Sequence, residues 1–111
     1  MKRIYKYELG RGPGEVRTLM PEGARVLTAQ WQAGAIVAWA VIDDEATGSE
    51  EIRFRIVWTG HECAFIDDGG AWAHAGTVQD PDGLVLHVFY RLRDIFLPKR
   101  EQREAKAGGG A

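Results

Sequence analysis

Polar and apolar positions alternate over residues 51–59, with Ile52, Phe54, Ile56 and Trp58 on one face and Glu51, Arg53, Arg55 and Val57 on the other. A period of two over this length predicts a strand with one buried face and cannot form a single helical stripe. Shorter runs repeat the theme. Over residues 2–9, Tyr5, Tyr7 and Leu9 fall opposite Lys2, Ile4 and Lys6. Residues 14–20 form a weaker strand closed by Pro21-Glu22-Gly23. Residues 25–32 and 35–43 read as a hairpin turning at Ala33-Gly34. The stretch 35–42 is apolar on both faces, which predicts a central strand covered on two sides. Residues 71–79 and 84–90 bring the count to about seven strands. The expected fold is mainly β, a small antiparallel sandwich or partly open barrel.

Two segments break the pattern. Residues 61–70 read as a connection holding one irregular or helical turn around Ala64-Phe65-Ile66. Residues 98–107 are helix formers with almost no apolar face, and Gly108-Gly109-Gly110 would end any helix there. The expected organisation is one β-rich domain over 1–96 and a short charged tail over 97–111, helical at most.

Composition narrows the class. The 111 residues are 45% hydrophobic and 27% charged, with a formal net charge of −2. These values exclude a disordered chain, a collagen-like chain and a strongly cationic general nucleic-acid binder. The single cysteine, Cys63, excludes an intrachain disulfide. No signal-peptide pattern is visible, and the longest apolar run has eight residues, far short of the roughly 20 that span a bilayer. The expectation is a soluble cytoplasmic protein without a membrane partner. The net charge is uneven. The tail carries four basic and two acidic residues, so its +2 leaves −4 for residues 1–96.

Candidate catalytic groups are sparse. His61 and Cys63 form a His-x-Cys pair that could supply two zinc ligands, with His74 and His87 further on, but no second close ligand pair accompanies it. His87 lies within a strand pattern, and Cys63 is expected as a small buried hydrophobe. The pair Cys63 and His61 lacks an orienting acid, and Ser49 lacks a nucleophile-elbow context. The segment Gly10-Arg11-Gly12-Pro13-Gly14 carries no phosphate-loop lysine and reads as a hairpin loop. Asp67-Asp68 and Asp80-Pro81-Asp82-Gly83 read as turns. No metal, no cofactor and no enzymatic activity are expected.

Charge placement supplies the candidate interface. Asp43, Asp44, Glu45, Glu50 and Glu51 crowd one connection without a basic residue among them. Arg53 and Arg55 project from one strand face, and Arg91 and Arg93 repeat that spacing. Lys99, Arg100 and Arg103 add positive charge in the tail. Of Trp31, Trp39, Trp58 and Trp72, most are expected in the core, while one exposed beside arginine would anchor an interface.

The ordered set Met1-Lys2-Arg3-Ile4-Tyr5-Lys6-Tyr7, Met20-Pro21-Glu22-Gly23-Ala24, Trp39-Ala40-Val41-Ile42-Asp43, Thr59-Gly60-His61, Gly76-Thr77 and Leu84-Val85-Leu86-His87-Val88-Phe89 resembles a family of small uncharacterised bacteriophage and prophage proteins over residues 1–90. The resemblance implies a phage or prophage origin and expression in the bacterial cytoplasm, and carries no active site. Together with the charge pattern it leads to the expectation of a non-enzymatic accessory protein. Such a protein binds and inhibits a host protein of a nucleic-acid-processing or defence complex, in the manner of counter-defence and anti-CRISPR proteins. Acidic turns mimicking nucleic-acid phosphates are one route. An oligomeric sponge for a signalling nucleotide, using Arg53, Arg55, Arg91 and tryptophan, is an alternative. A structural virion or assembly component is another. Exposed sheet edges also raise a homo-oligomer.

Overall fold

The alternation beginning near residue 51 becomes the longest strand of the structure. The computed structural model describes residues 1–91. Seven strands follow one another: β1 (Lys2–Gly10), β2 (Gly14–Pro21), β3 (Arg25–Gln32), β4 (Ala35–Asp43), β5 (Ser49–Trp58), β6 (Trp72–Gln79) and β7 (Val85–Arg91). A single 3-10 turn over Ala64–Asp67 lies between β5 and β6, where the sequence predicts a break. All pairings are antiparallel, in a three-stranded sheet ordered β1-β4-β3 and a four-stranded sheet ordered β2-β5-β7-β6. The mainly β, unclosed two-sheet fold is therefore the one the pattern predicts. The expected tail, with Arg93, Lys99, Arg100 and Arg103, lies outside the described residues. Among the described residues no helix is long and apolar enough to cross a membrane.

Both sheets turn one apolar face inward. From the four-stranded sheet come Ile52, Phe54 and Ile56 of β5, Leu86 and Val88 of β7, and Met20 of β2. Ile36, Ala38, Ala40 and Ile42 of β4, with Leu9, Val26 and Ala29, meet them from the other sheet. Phe54, Ile36, Leu86 and Val88 have no measurable exposure, and burying a side chain of that size contributes about 1.5–3 kcal/mol.

Several local expectations change. The segment between Gly10 and Gly14 is a crossover between the two sheets, since β1 and β2 do not pair. Both glycines take positive φ there, 110° and 138°. Strand β4 is central as expected, but the opposing sheet covers one of its faces only. On the outer face Val37 is buried among its neighbours while Trp39 and Val41 remain half-buried. None of the four tryptophans is fully buried. Trp31 and Trp58 border the core, whereas Trp39 and Trp72 sit on the outer faces of the two sheets. An indole is large enough that a core built from Ala, Ile and Val at this spacing keeps it at the rim.

The sheets come closest where β6 passes β3. A Cβ placed on Gly76 would lie 2.6 Å from the Ala29 carbonyl oxygen, an approach real Cβ atoms do not make. Gly76→Ala must therefore push β6 away from β3, and the expected loss is about 1–3 kcal/mol, read by thermal or urea unfolding. The β3–β4 turn carries the opposite opportunity. Ala33 and Gly34 both have positive φ, 53° and 87°, as a two-residue hairpin turn of this hand requires. Alanine is strained there, so Ala33→Asn is expected to raise stability by about 1 kcal/mol and the melting temperature by several degrees. An unchanged melting curve would contradict the assigned turn geometry.

Candidate functional site

Because Ile52, Phe54 and Ile56 face the core, Arg53 and Arg55 must face outward on β5. Register then extends two rows across the outer face of the four-stranded sheet. In one row Glu15 lies opposite Arg55, Arg55 opposite Phe89, and Phe89 opposite His74. In the other Arg17 lies opposite Arg53, and Arg91 opposite Trp72. Phe54 pairs with Tyr90, so Arg53 and Arg91 are neighbours across the β5–β7 ladder. Like charges side by side on a sheet cost energy, and the surroundings offset that cost.

Aromatic rings and carboxylates do so together. The 3-10 turn lays Phe65 onto this face, 8% exposed, with its ring centroid 5.1 Å from Trp72 and 5.6 Å from Phe89. The Arg55 guanidinium lies 4.6 Å from the centre of the Phe65 ring. Those of Arg53 and Arg91 lie 5.9 Å and 5.8 Å from the centre of Trp72. Glu15 accepts from Arg53 Nε at 2.9 Å and from Arg17 Nε at 3.3 Å, and its carboxyl is held below the usual range first by the Arg53 bond. Gly70 leaves room for the Arg91 guanidinium, which a Cβ there would meet at 2.5 Å.

Arg55 and Arg91 make no salt bridge with a carboxylate among the described residues. A guanidinium stacked on a ring keeps its in-plane N–H groups available. Those groups suit a carboxylate or phosphate, which they can bind in a bidentate manner. Beside Arg55, an open groove of about 540 Å³ runs between Pro13-Gly14 and His61-Glu62.

The acidic candidates are arranged differently. Asp43 and Asp44 close onto the chain's amino group at 3.1 Å and 3.2 Å, and Asp44 also pairs with Arg3. Both carboxyls are lowered, Asp43 first by the Glu45 backbone N–H and Asp44 first by Arg3. Glu45 lies 3.7 Å from the same amino group. Glu50 and Glu51 belong to β5 and point to opposite sides of it. Glu50 accepts from the Gly23 N–H at 3.4 Å, and Glu51 pairs with Arg17 at 3.6 Å. The five acids that crowd the sequence thus do not form one surface.

Other chemical candidates are placed as follows. Cys63 is exposed rather than buried, because the connection carrying it leaves the sheet before Phe65 returns to it. His61 packs edge-on against Trp58 at 5.0 Å. His87 and His74 join a chain of hydrogen bonds that the sequence does not reveal. Thr59 Oγ1 meets His87 Nε2 at 2.6 Å, His87 Nδ1 meets Thr77 Oγ1 at 3.0 Å, and Thr77 Oγ1 meets His74 Nε2 at 3.0 Å. Alternate-residue spacing along β6 and β7 is the signal that places these groups beside the arginines. Among the described residues no group of three or more His, Cys, Asp or Glu is placed to hold a metal ion.

Asp68 organises the aromatic end of the face. Its Oδ1 accepts from the Gly70 N–H at 2.8 Å and from the Trp72 indole N–H at 3.1 Å. The Gly70 bond first, then Trp72 and the nearby arginines, hold its carboxyl below the ordinary aspartate value of 3.8. With the folded value depressed, the contact is complete above pH 3.8 and is lost as pH falls through the lower folded value. The Trp72 indole N–H resonance should therefore shift in strongly acidic solution and stay constant above it. Asp68→Asn should remove that titration; a resonance in the variant that still follows the same curve would contradict the assignment.

The model of a domain of unknown function, DUF7352, matches residues 1–95, and the chain belongs to that family. No curated protein and no solved structure matches it.

Proposed function

We propose that this member of the family is a non-enzymatic accessory protein that binds and inhibits a host protein, as expected of a phage or prophage counter-defence factor. An acidic surface of the partner would rest on the outer face of the four-stranded sheet. The observation that carries this reading is the pair Arg55 and Arg91, stacked on Phe65 and Trp72 and in no salt bridge among the described residues. Arginine beside aromatic rings is the composition of interface hot spots. The acidic residues 43–51 support a phosphate-mimicking role less well, since their charge is divided among the amino group, Arg3 and Arg17.

The same face favours a second reading, a nucleotide-sized anion, because Arg53, Arg55, Arg91 and an indole share it. The virion-component reading draws on the tail, which lies outside the described residues.

The test is affinity capture from host extract followed by a binding titration with the partner identified. Arg55→Glu and Arg91→Glu should each weaken binding by about thirtyfold, a loss of the size seen at arginine hot spots. Arg25→Glu, exposed on the other sheet, should leave binding unchanged. Equal binding by all three variants would overturn this assignment. Calorimetry against cyclic and linear nucleotides separates the second reading, which requires heat of binding in the wild type and none in the arginine variants.

A further inference from the structure

We infer that β1 is a dimerisation strand: a second copy of the chain pairs antiparallel with its free edge, centred on Tyr5. Strand β1 has β4 on one side and no strand on the other among the described residues. It is long for an edge, and two large apolar side chains stand out from it, Ile4 at 61% and Tyr5 at 47% exposure. A long edge of this kind is a template for another strand unless something blunts it.

The hydrogen-bond phase of the edge is fixed. The Asp44 N–H donates to the Met1 carbonyl at 3.0 Å, and Lys2 lies opposite Asp43 in an unbroken register as far as Glu8. In an antiparallel ladder this directs the odd-numbered residues of β1 toward β4. The N–H and C=O groups of Lys2, Ile4, Lys6 and Glu8 therefore point to the open side.

Charge and the regularity of the strand together select one register. A two-fold axis at Ile4 would set Lys2 against Lys6 of the second copy, twice. An axis at Lys6 would set lysine against lysine at the centre. An axis at Tyr5 sets Lys2 against Glu8 of the second copy, twice, and Ile4 against the aliphatic stem of Lys6. Tyr5 then meets its counterpart at a non-hydrogen-bonded position. Opposed charges directly across a ladder stabilise it and like charges destabilise it. An axis at Tyr7 would also set lysine against glutamate, Lys6 against Glu8, but it carries the pairing past Glu8 into the register shift of β1. An axis at Tyr5 keeps the pairing within the regular stretch 2–8, where a lysine that normally protects an edge becomes complementary. Two three-stranded sheets join into one of six strands, and the interface is isologous. It leaves the arginine face of the other sheet uncovered, so its test is separate from that of partner binding.

Sedimentation across a wide concentration range tests the pairing. The wild type is expected to reach twice the 12.3 kDa chain mass. Ile4→Pro removes an N–H that faces the second copy and none that faces β4, and should leave a folded monomer. Lys2→Glu should weaken the dimer by about tenfold, and Lys2→Glu with Glu8→Lys should restore it. The rescue decides the matter if the proline variant fails to fold. Tyr5→Cys, in a Cys63→Ser background because Cys63 is exposed, should form an intermolecular disulfide on mild oxidation. Non-hydrogen-bonded pairs place Cα atoms about 4.5 Å apart, inside the roughly 4.4–6.8 Å range of disulfides. A wild type that stays at the chain mass up to its solubility limit would overturn the inference. So would a dimer that survives Ile4→Pro and Lys2→Glu and gives no cross-link at residue 5.

Discussion

The fold depends on the facing of two apolar surfaces, Ile52, Phe54 and Ile56 on one sheet and Ile36, Ala38, Ala40 and Ile42 on the other. Side chains on a strand alternate between faces, so committing these residues inward commits their neighbours outward. Arg53 and Arg55 face outward, half-buried, because Phe54 faces inward. Register across β7 and β6 then adds Phe89, Arg91, Trp72 and His74 to the same surface. The candidate face is thus a consequence of core formation. What is particular to this chain is the aromatic cover that the 3-10 turn brings back over it through Phe65.

The two sides of the sandwich are treated unequally. Where β3 passes β6, Gly76 lets the backbones approach and bulges occur in both strands, between Val26 and Thr28 and between His74 and Gly76. Bulges bend a strand and increase its twist, which turns these two edges toward each other. The β1 and β2 edges have no comparable device in their middle portions; the single shift in β1 falls after Glu8. One side of the sandwich is consequently drawn together, and the other presents long, regular edges.

The strands were legible in the sequence because alternation is a local property, and each residue from Ile52 to Trp58 reports its own face. Sheet membership was not. Gly10–Gly14 reads as a hairpin loop but is a crossover, because Lys2–Gly10 pairs with the distant Ala35–Asp43. The acidic stretch misleads for a related reason. Asp43 to Glu51 is continuous in sequence, but Asp43 ends one sheet and Glu51 belongs to the other. Asp68, Phe65 and Cys63 were opaque because a loop's path is set by what it returns to. Phe65 finds Trp72 and Phe89, and Cys63 is left in solvent.

The magnitudes indicate what the surface charge is for. Exposed ion pairs contribute about 0–1 kcal/mol each, whereas burial of any one core side chain of Phe54's size contributes more. Stacking on a ring adds about 0.5–1 kcal/mol for each of Arg55 and Arg91, and their repulsion with Arg53 works against part of that gain. Glu15 offsets part of that repulsion, binding Arg53 and Arg17. Asp68 lies near Arg91 and Arg53 and spends its oxygen on Gly70 and Trp72. Two guanidinium groups, Arg55 and Arg91, remain held over rings and form no salt bridge among the described residues. Under the proposed function, an anionic group of the partner would complete the contacts of these two side chains.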